Sequence, residues 1–147
     1  MAIKSFGTTI SIGDGNLAST PTYTAVADVR EITPPAKTTI MANATHLSSS
    51  GGAYEQVPSG MFEEREWGFV ILLNPDGATH TSSAAGGIQH AQDNGNELAW
   101  KVTTNATTLN ETVFDGYVKV FEPVYGDGTE VIMANVTIGQ TGQATIS

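Results

Sequence analysis

Turn signals built on glycine and proline divide this sequence into short segments, and that rhythm limits the folds open to it. Gly13-Asp14-Gly15, Pro34-Pro35, Ser49-Ser50-Gly51-Gly52, Asn74-Pro75-Asp76-Gly77 and Gly126-Asp127-Gly128 all interrupt helix or strand. The runs between them are rich in β-branched and aromatic residues, and strong helix formers are few. Short strands separated by frequent turns imply an antiparallel β-sandwich or barrel-like fold. Strands are expected over 8–12, 22–32, 38–44, 65–73, 98–103, 112–124 and 130–138. Leu98, Trp100 and Val102 alternate with Lys101 and Thr103, the period of two that a half-buried strand requires. The same alternation assigns Ile132, Ala134, Val136 and Ile138 to a buried face. Residues 69–73 are apolar on both faces, so that strand should be covered on both sides, by a helix or by a neighbouring subunit.

One short flanking helix is expected over 82–94, capped by Thr81 or Ser82 and stopped at Asn94-Gly95. Its interior glycines, Gly86 and Gly87, each cost about 1 kcal/mol relative to alanine. Residues 45–64 show no clear strand character. A loop of that length is usually functional. The 147 residues read as a single domain without internal repeats.

The sequence contains no cysteine, which excludes disulfides, thiolate metal sites and a thiol nucleophile. Fifteen acidic residues against six basic ones give a formal net charge of −9. The cations Lys4, Arg30, Lys37, Arg65, Lys101 and Lys119 are scattered singly. Nucleic-acid affinity rests on neutralised phosphates, so tight DNA binding is not expected. A signal peptide is not expected, nor a membrane-spanning segment, since no apolar run approaches the roughly 20 residues that span a bilayer.

No catalytic pattern stands out. His90 and Asp93 share a helix face, but two ligands make a thin metal site, and a solvated face is the plainer reading. His46 and His80 lie among polar residues. Glu63-Glu64-Arg65-Glu66 could pair carboxylates for glycoside chemistry, yet such a run more often keeps a strand edge soluble. Asp14-Gly15-Asn16 and Asp127-Gly128-Thr129 lack the ligand set of a calcium loop and read as tight turns. Trp67 and Trp100 sit in strand patterns, where core packing outweighs ligand stacking. Asn43, Asn105, Asn110 and Asn135 begin Asn-x-Thr triplets, as chance provides in a chain rich in both residues. An enzyme is therefore not expected, nor a cofactor or metal.

The order of segments carries a resemblance. Phe6-Gly7-Thr8-Thr9-Ile10-Ser11-Ile12-Gly13-Asp14-Gly15 is followed by the strand pattern of 22–32, a proline turn, and Ala44-Thr45-His46-Leu47-Ser48-Ser49. Tyr54-Glu55-Gln56-Val57-Pro58-Ser59-Gly60-Met61 then leads into the apolar strand 67–73 and Asn74-Pro75. This pattern resembles the major tail tube proteins of long-tailed, non-contractile bacteriophages of the lambda type. Asn43-Ala44-Thr45 and Met61-Phe62-Glu63-Glu64-Arg65 depart from the family pattern in and around the long loop. The resemblance implies a structural virion protein of the tail, assembled as stacked hexameric rings around a lumen through which DNA passes without tight binding. It also implies tape measure, tail terminator and baseplate or distal tail proteins as partners. On that reading the long loop makes inter-subunit contacts through Tyr54, Val57, Met61 and Phe62, and Asp115 and Glu122 are candidate lumen-facing acids. An edge strand, 112–124 or 22–32, would continue its ladder into the next subunit. The alternatives are another virion or secretion-tube subunit, such as a tail terminator or contractile-system tube, and a carbohydrate-binding β-sandwich.

Overall fold

A computed structural model describes residues 7–13, 21–43, 56–63, 65–128, 131–142 and 144–147. Ten strands and one helix follow the chain as β1 (Thr9–Gly13), β2 (Tyr23–Ala25), β3 (Val29–Thr33), β4 (Thr38–Asn43), β5 (Gln56–Glu63), β6 (Glu66–Leu72), α1 (Ile88–Asn94), β7 (Glu97–Thr103), β8 (Glu111–Val124), β9 (Met133–Gln140) and β10 (Thr145–Ile146). Eight strands form one antiparallel sheet in the order β2-β1-β7-β8-β9-β6-β3, with β10 added on β8. β4 and β5 form a separate two-stranded hairpin.

The sheet curls round a single apolar cluster. Ile10, Trp100, Ile71, Val136 and Ile138 are almost wholly removed from solvent. Trp67 stacks on Phe114 with ring centroids 4.6 Å apart, which joins β6 to β8 across the interior. The indole N–H groups, which must find acceptors once buried, donate to Gln140 Oε1 from Trp67 and to the Gly116 carbonyl from Trp100. The alternation expected of β7 holds, with Leu98, Trp100 and Val102 all buried. In β9 it holds for Ala134, Val136 and Ile138. Ile132 precedes the strand and stays 39% exposed. On β6, Phe69 and Ile71 enter the core, whereas Val70 and Leu72 remain half-buried on the opposite face.

The expected strand over 22–32 is two strands at opposite ends of the sheet. Asp28 has φ 59, in the left-handed region, so the ladder breaks there. β2 pairs with β1 and β3 pairs with β6, while residues 26–28 cross between the two edges. Val26 donates to the Ile10 carbonyl and the Asp28 carbonyl accepts from Leu72, so this crossing draws the edges together. β2 and β3 remain the terminal strands of the sheet, each paired with a single neighbour.

The helix is shorter than its sequence pattern. It begins at Ile88, with Gly87 as N-cap and no side-chain cap, so neither Thr81 nor Ser82 fills that role. A β-carbon on Gly87 would lie 2.0 Å from the Thr81 carbonyl oxygen. That close approach explains the glycine and excludes helix upstream of it. Gly95, at φ 65, ends the helix as expected. Part of the anticipated loop over 45–64 is strand: β5 pairs with β4 from Asn43↔Gln56 to Thr38↔Glu63. Its sequence, with Pro58 and Gly60 inside, hides that strand from propensity.

Candidate functional site

The residues that could act on another molecule lie on the outward face of the sheet and at its two ends. Register defines the outward face. Phe121 pairs with buried Val136 and Val118 with buried Ile138, so their neighbours point away from the core. An irregularity between Val118 and Val120 keeps the two halves of β8 in phase with the core. Asp115 and Glu122 therefore share the outward face, and both are exposed.

Glu31, Glu66, Glu97 and Glu111 occupy outward positions on β3, β6, β7 and β8 by the same pairing logic. With Asp115 and Glu122 they make six acids on one face. Against them stand Lys101, Lys119 and, at the irregularity in β3, Arg30. Lys101 pairs with Glu111 at 3.8 Å and Lys119 pairs with Glu66, so both lysines are engaged by acids of the same face. Arg30 donates to Met133 Sδ. Glu97 accepts from Thr141 Oγ1 at 2.7 Å and from Tyr117 Oη at 3.3 Å. The face is strongly acidic, and its small residues Gly68, Ala99, Thr137 and Gly139 keep it low.

The strand edges match expectation in part: β2 and β3, from the expected strand over 22–32, end the sheet. β8 does not present an edge along its length: Glu111–Tyr117 has β7 on one side, and β10 with Thr141 on the other. Beyond Tyr117 the strand is paired with β9 alone, and the β7 side is open among the described residues. The Gln92 side chain covers part of it by donating to the Lys119 carbonyl. Pro123 lies in this stretch, where a missing N–H need not break a ladder.

The other sequence candidates separate. Trp67 and Trp100 are core residues and offer no stacking platform. His80 is fully buried, contrary to its polar surroundings in sequence. Its Nδ1 accepts from Asn74 N–H at 3.1 Å, which leaves Nε2–H to donate to the Ala27 carbonyl at 2.8 Å. His90 is half-buried on α1 and Asp93 exposed; no group of three potential metal ligands occurs among the described residues. A shallow cleft of about 330 Å³ gathers His90 and Glu97 with Gly13, Ala85 and Leu98, and brings no nucleophile to either among the described residues. Within Glu63-Glu64-Arg65-Glu66 the chain passes from β5 into β6, and Glu64 lies outside the described residues, as do His46 and Tyr54. Val57, Met61 and Phe62 belong to β5. Pattern reading missed the apolar residues flanking the Gly126-Asp127-Gly128 turn. Val124, Tyr125 and Val131 are 42%, 66% and 61% exposed.

Neither a protein-family model nor a curated protein sequence matches the chain. Solved structures do. The tail of an empty gene transfer agent particle, refined with C6 symmetry, superposes with a TM-score of 0.71 at 12% identity, covering 99% of both chains. The SPP1 tail tube gives 0.69 at 11% identity, covering 99% of this chain and 80% of that one. The sheath–tube complex of an extracellular contractile injection system gives 0.60 at 8% identity, with 99% and 91% covered. Over nearly its whole length the chain has the fold of phage tail tube proteins.

Proposed function

We propose that this chain is the structural subunit of a non-contractile phage tail tube, acting by assembly and without catalysis. The observation that carries the proposal is the end-to-end match of the antiparallel sheet to tail tubes, which covers 99% of this chain. The subunit forms hexameric rings that stack into a hollow tube of the virion tail. Tape measure, terminator and baseplate or distal tail proteins bound that tube at its core and ends. The C6 symmetry of the gene transfer agent tail supports the ring number.

On this reading the outward acidic face, with Asp115 and Glu122, lines the lumen. Six acids with most cations already paired would repel passing phosphates. Even a few lysine–phosphate contacts in each ring would accumulate along the tube into a brake on DNA movement. Lateral contacts within a ring use an open strand edge, that of β8 beyond Tyr117 or those of the terminal strands β2 and β3. The assembly segment includes β5 with Val57, Met61 and Phe62, and Tyr54 belongs to the same expectation. A contractile-system tube is the second reading, supported by the 0.60 superposition. The carbohydrate-binding reading loses its aromatic platform with the burial of both tryptophans.

Negative-stain electron microscopy of the concentrated protein, with a dilute control, tests the proposal. Hollow tubes or stacked rings of uniform width with sixfold end views are the expected result. Closed rings of another order, or a measurable glycan affinity with no assembly at any concentration, would remove it.

A further inference from the structure

We propose that Asn94 is a self-modification site. It loses its side-chain amide to attack by the Gly95 backbone nitrogen, at a rate set by opening of the last turn of α1. The product then holds that turn open. This inference stands apart from the tube reading.

Asn94-Gly95 is the one Asn-Gly pair in the sequence. In an asparagine the side-chain carbonyl carbon, Cγ, lies within reach of the next backbone nitrogen, and closure gives a five-membered ring. A β-carbon on the following residue crowds that approach, and glycine has none. Both Asn94 and Gly95 are exposed, so water and hydroxide reach them. The reaction needs no oxidant or reductant. The Gly95 nitrogen gives up its proton and bonds to Cγ, the bond from Cγ to Nδ2 breaks, and ammonia leaves with that proton. Water then opens the succinimide that results. Attack at Cγ gives aspartate in an ordinary backbone. Attack at the main-chain carbonyl carbon gives isoaspartate, whose backbone runs through the former side chain.

The closed helix end withholds both reactants. Gly95 N–H donates to the carbonyls of Ala91 and Gln92, the latter at 3.2 Å, and Asn96 N–H donates to the Ala91 carbonyl at 3.0 Å. Asn94 Nδ2 donates to the His90 carbonyl at 2.9 Å, which turns the side chain back along the helix and away from Gly95. A nitrogen aimed at helical carbonyls does not meet Cγ, so the reaction runs from the opened turn. Opening costs little at this end. α1 has seven residues, no side-chain cap at its start and no basic residue in its last turn, and a helix of that length does not hold itself. Its buried anchors, Ile88 and Ala91, lie in its first four positions. Gln92, Asp93 and Asn94 are half-buried or exposed, where local opening is easiest.

Either product opposes closure. A carboxylate at 94 has no proton to give the His90 carbonyl, and it adds negative charge beside Asp93 at the helix end that already carries the negative pole. Isoaspartate also lengthens the backbone by a methylene, which moves the Gly95 N–H off its two acceptors. Gln92, in the same turn, donates from Nε2 to the Lys119 carbonyl on the open side of β8. Modification therefore also uncovers that strand edge.

Peptide mass spectrometry of the full chain, aged in mildly alkaline buffer with and without urea, reads the site. In urea Asn94 should convert at least about tenfold faster than Asn105 or Asn135, and Gly95→Ala should remove that excess. The folded chain should convert Asn94 at least about tenfold more slowly than the chain in urea, yet measurably, with both aspartate and isoaspartate in the product. Asn94→Asp carries one product from the start. Once thermal unfolding has shown that this variant folds, its amides over 92–96 should exchange faster than those of the parent, while those of β7 and β8 stay protected. Conversion in urea no faster than at Asn105 or Asn135 overturns the site. Equal rates folded and in urea, or no conversion at all in the folded chain, overturn the gate. Unchanged exchange over 92–96 in the Asn94→Asp chain overturns the opened product.

Discussion

His80 shows how one side chain can replace a missing strand partner. Where the chain leaves β2 to cross toward β3, Ala27 has no ladder to join. Its N–H donates to Thr79 Oγ1 at 3.2 Å, and its carbonyl accepts from His80 Nε2. The same imidazole accepts Asn74 N–H through Nδ1, so one ring ties the 74–81 turn to the crossing that closes the shell. Replacing it with leucine leaves the Asn74 N–H and the Ala27 carbonyl without their partner at a part-buried position. His80→Leu should cost about 1–3 kcal/mol, since two hydrogen bonds are lost where water replaces them only in part. Urea unfolding reads this directly, and a change within noise would show that water reaches Ala27. Gly116 makes a similar case by absence. A β-carbon there would lie 2.6 Å from the Gly139 carbonyl oxygen and 2.8 Å from Ile138 Cγ2. Gly116→Ala should lower the unfolding midpoint clearly, by about 1–3 kcal/mol of overpacking, whereas Gly142→Ala, with open space around it, should not. Equal midpoints would mean that β8 and β9 can separate at no cost. The sequence held no sign of the role of His80. Its neighbours Thr79 and Thr81 read as surface, while its partners are backbone atoms, which every residue type provides alike.

At the scale of elements, legibility followed how local the cause was. Strands β6, β7 and β9 were readable because alternation of apolar side chains is written in adjacent positions and their burial follows from it. The hairpin strand β5 was not, because its pairing with β4 spans a long intervening stretch and its own Pro58 and Gly60 argue against strand. The division of 22–32 depended on Asp28 adopting a positive φ, a choice that closure of the sheet imposes and that propensity does not forecast. The helix was legible at its end, where Asn94-Gly95 is a local stop. Its start was not, because Gly87 is fixed by a carbonyl six residues upstream. At seven residues α1 is too short to persist on intrinsic propensity. It is held by burial of Ile88 and Ala91 against the core and by packing on β8. Ile88→Ala should therefore cost about 2–5 kcal/mol, as for other large core truncations, and should release the amides of 88–95 to hydrogen exchange before the strands. Release of the whole sheet together would show instead that the helix belongs to the same cooperative unit. Of the candidate site, a strict period of two would put Asp115 and Glu122, seven positions apart, on opposite faces of β8. The irregularity between Val118 and Val120 brings them together, and the surrounding acidic face likewise needed strand register to assemble it.

For the whole molecule the question is whether the acidic face matters by its position or only through net charge. Asp115→Lys with Glu122→Lys moves the formal charge of −9 to −5, two charges for each reversal. Asp76→Lys with Asp93→Lys changes the total identically at exposed residues that lie off that face, one in the 74–77 turn and one on α1. If the outward face of the sheet lines a lumen, the first pair adds cations where every ring presents them to the same passing polymer. Tubes of that variant should hold short duplex DNA in co-sedimentation at low salt. The retained fraction should fall steeply as salt rises, since each neutralised phosphate releases counterions. Tubes of the second variant, like those of the parent, should hold much less. The comparison works even if both pairs of substitutions ease assembly by reducing repulsion between subunits, because each variant is scored per tube formed. Equal DNA retention by the two variants would mean that the acidic face points elsewhere. The passage of DNA would then have to be explained by the acidity of the subunit as a whole, not by how its strands are aimed.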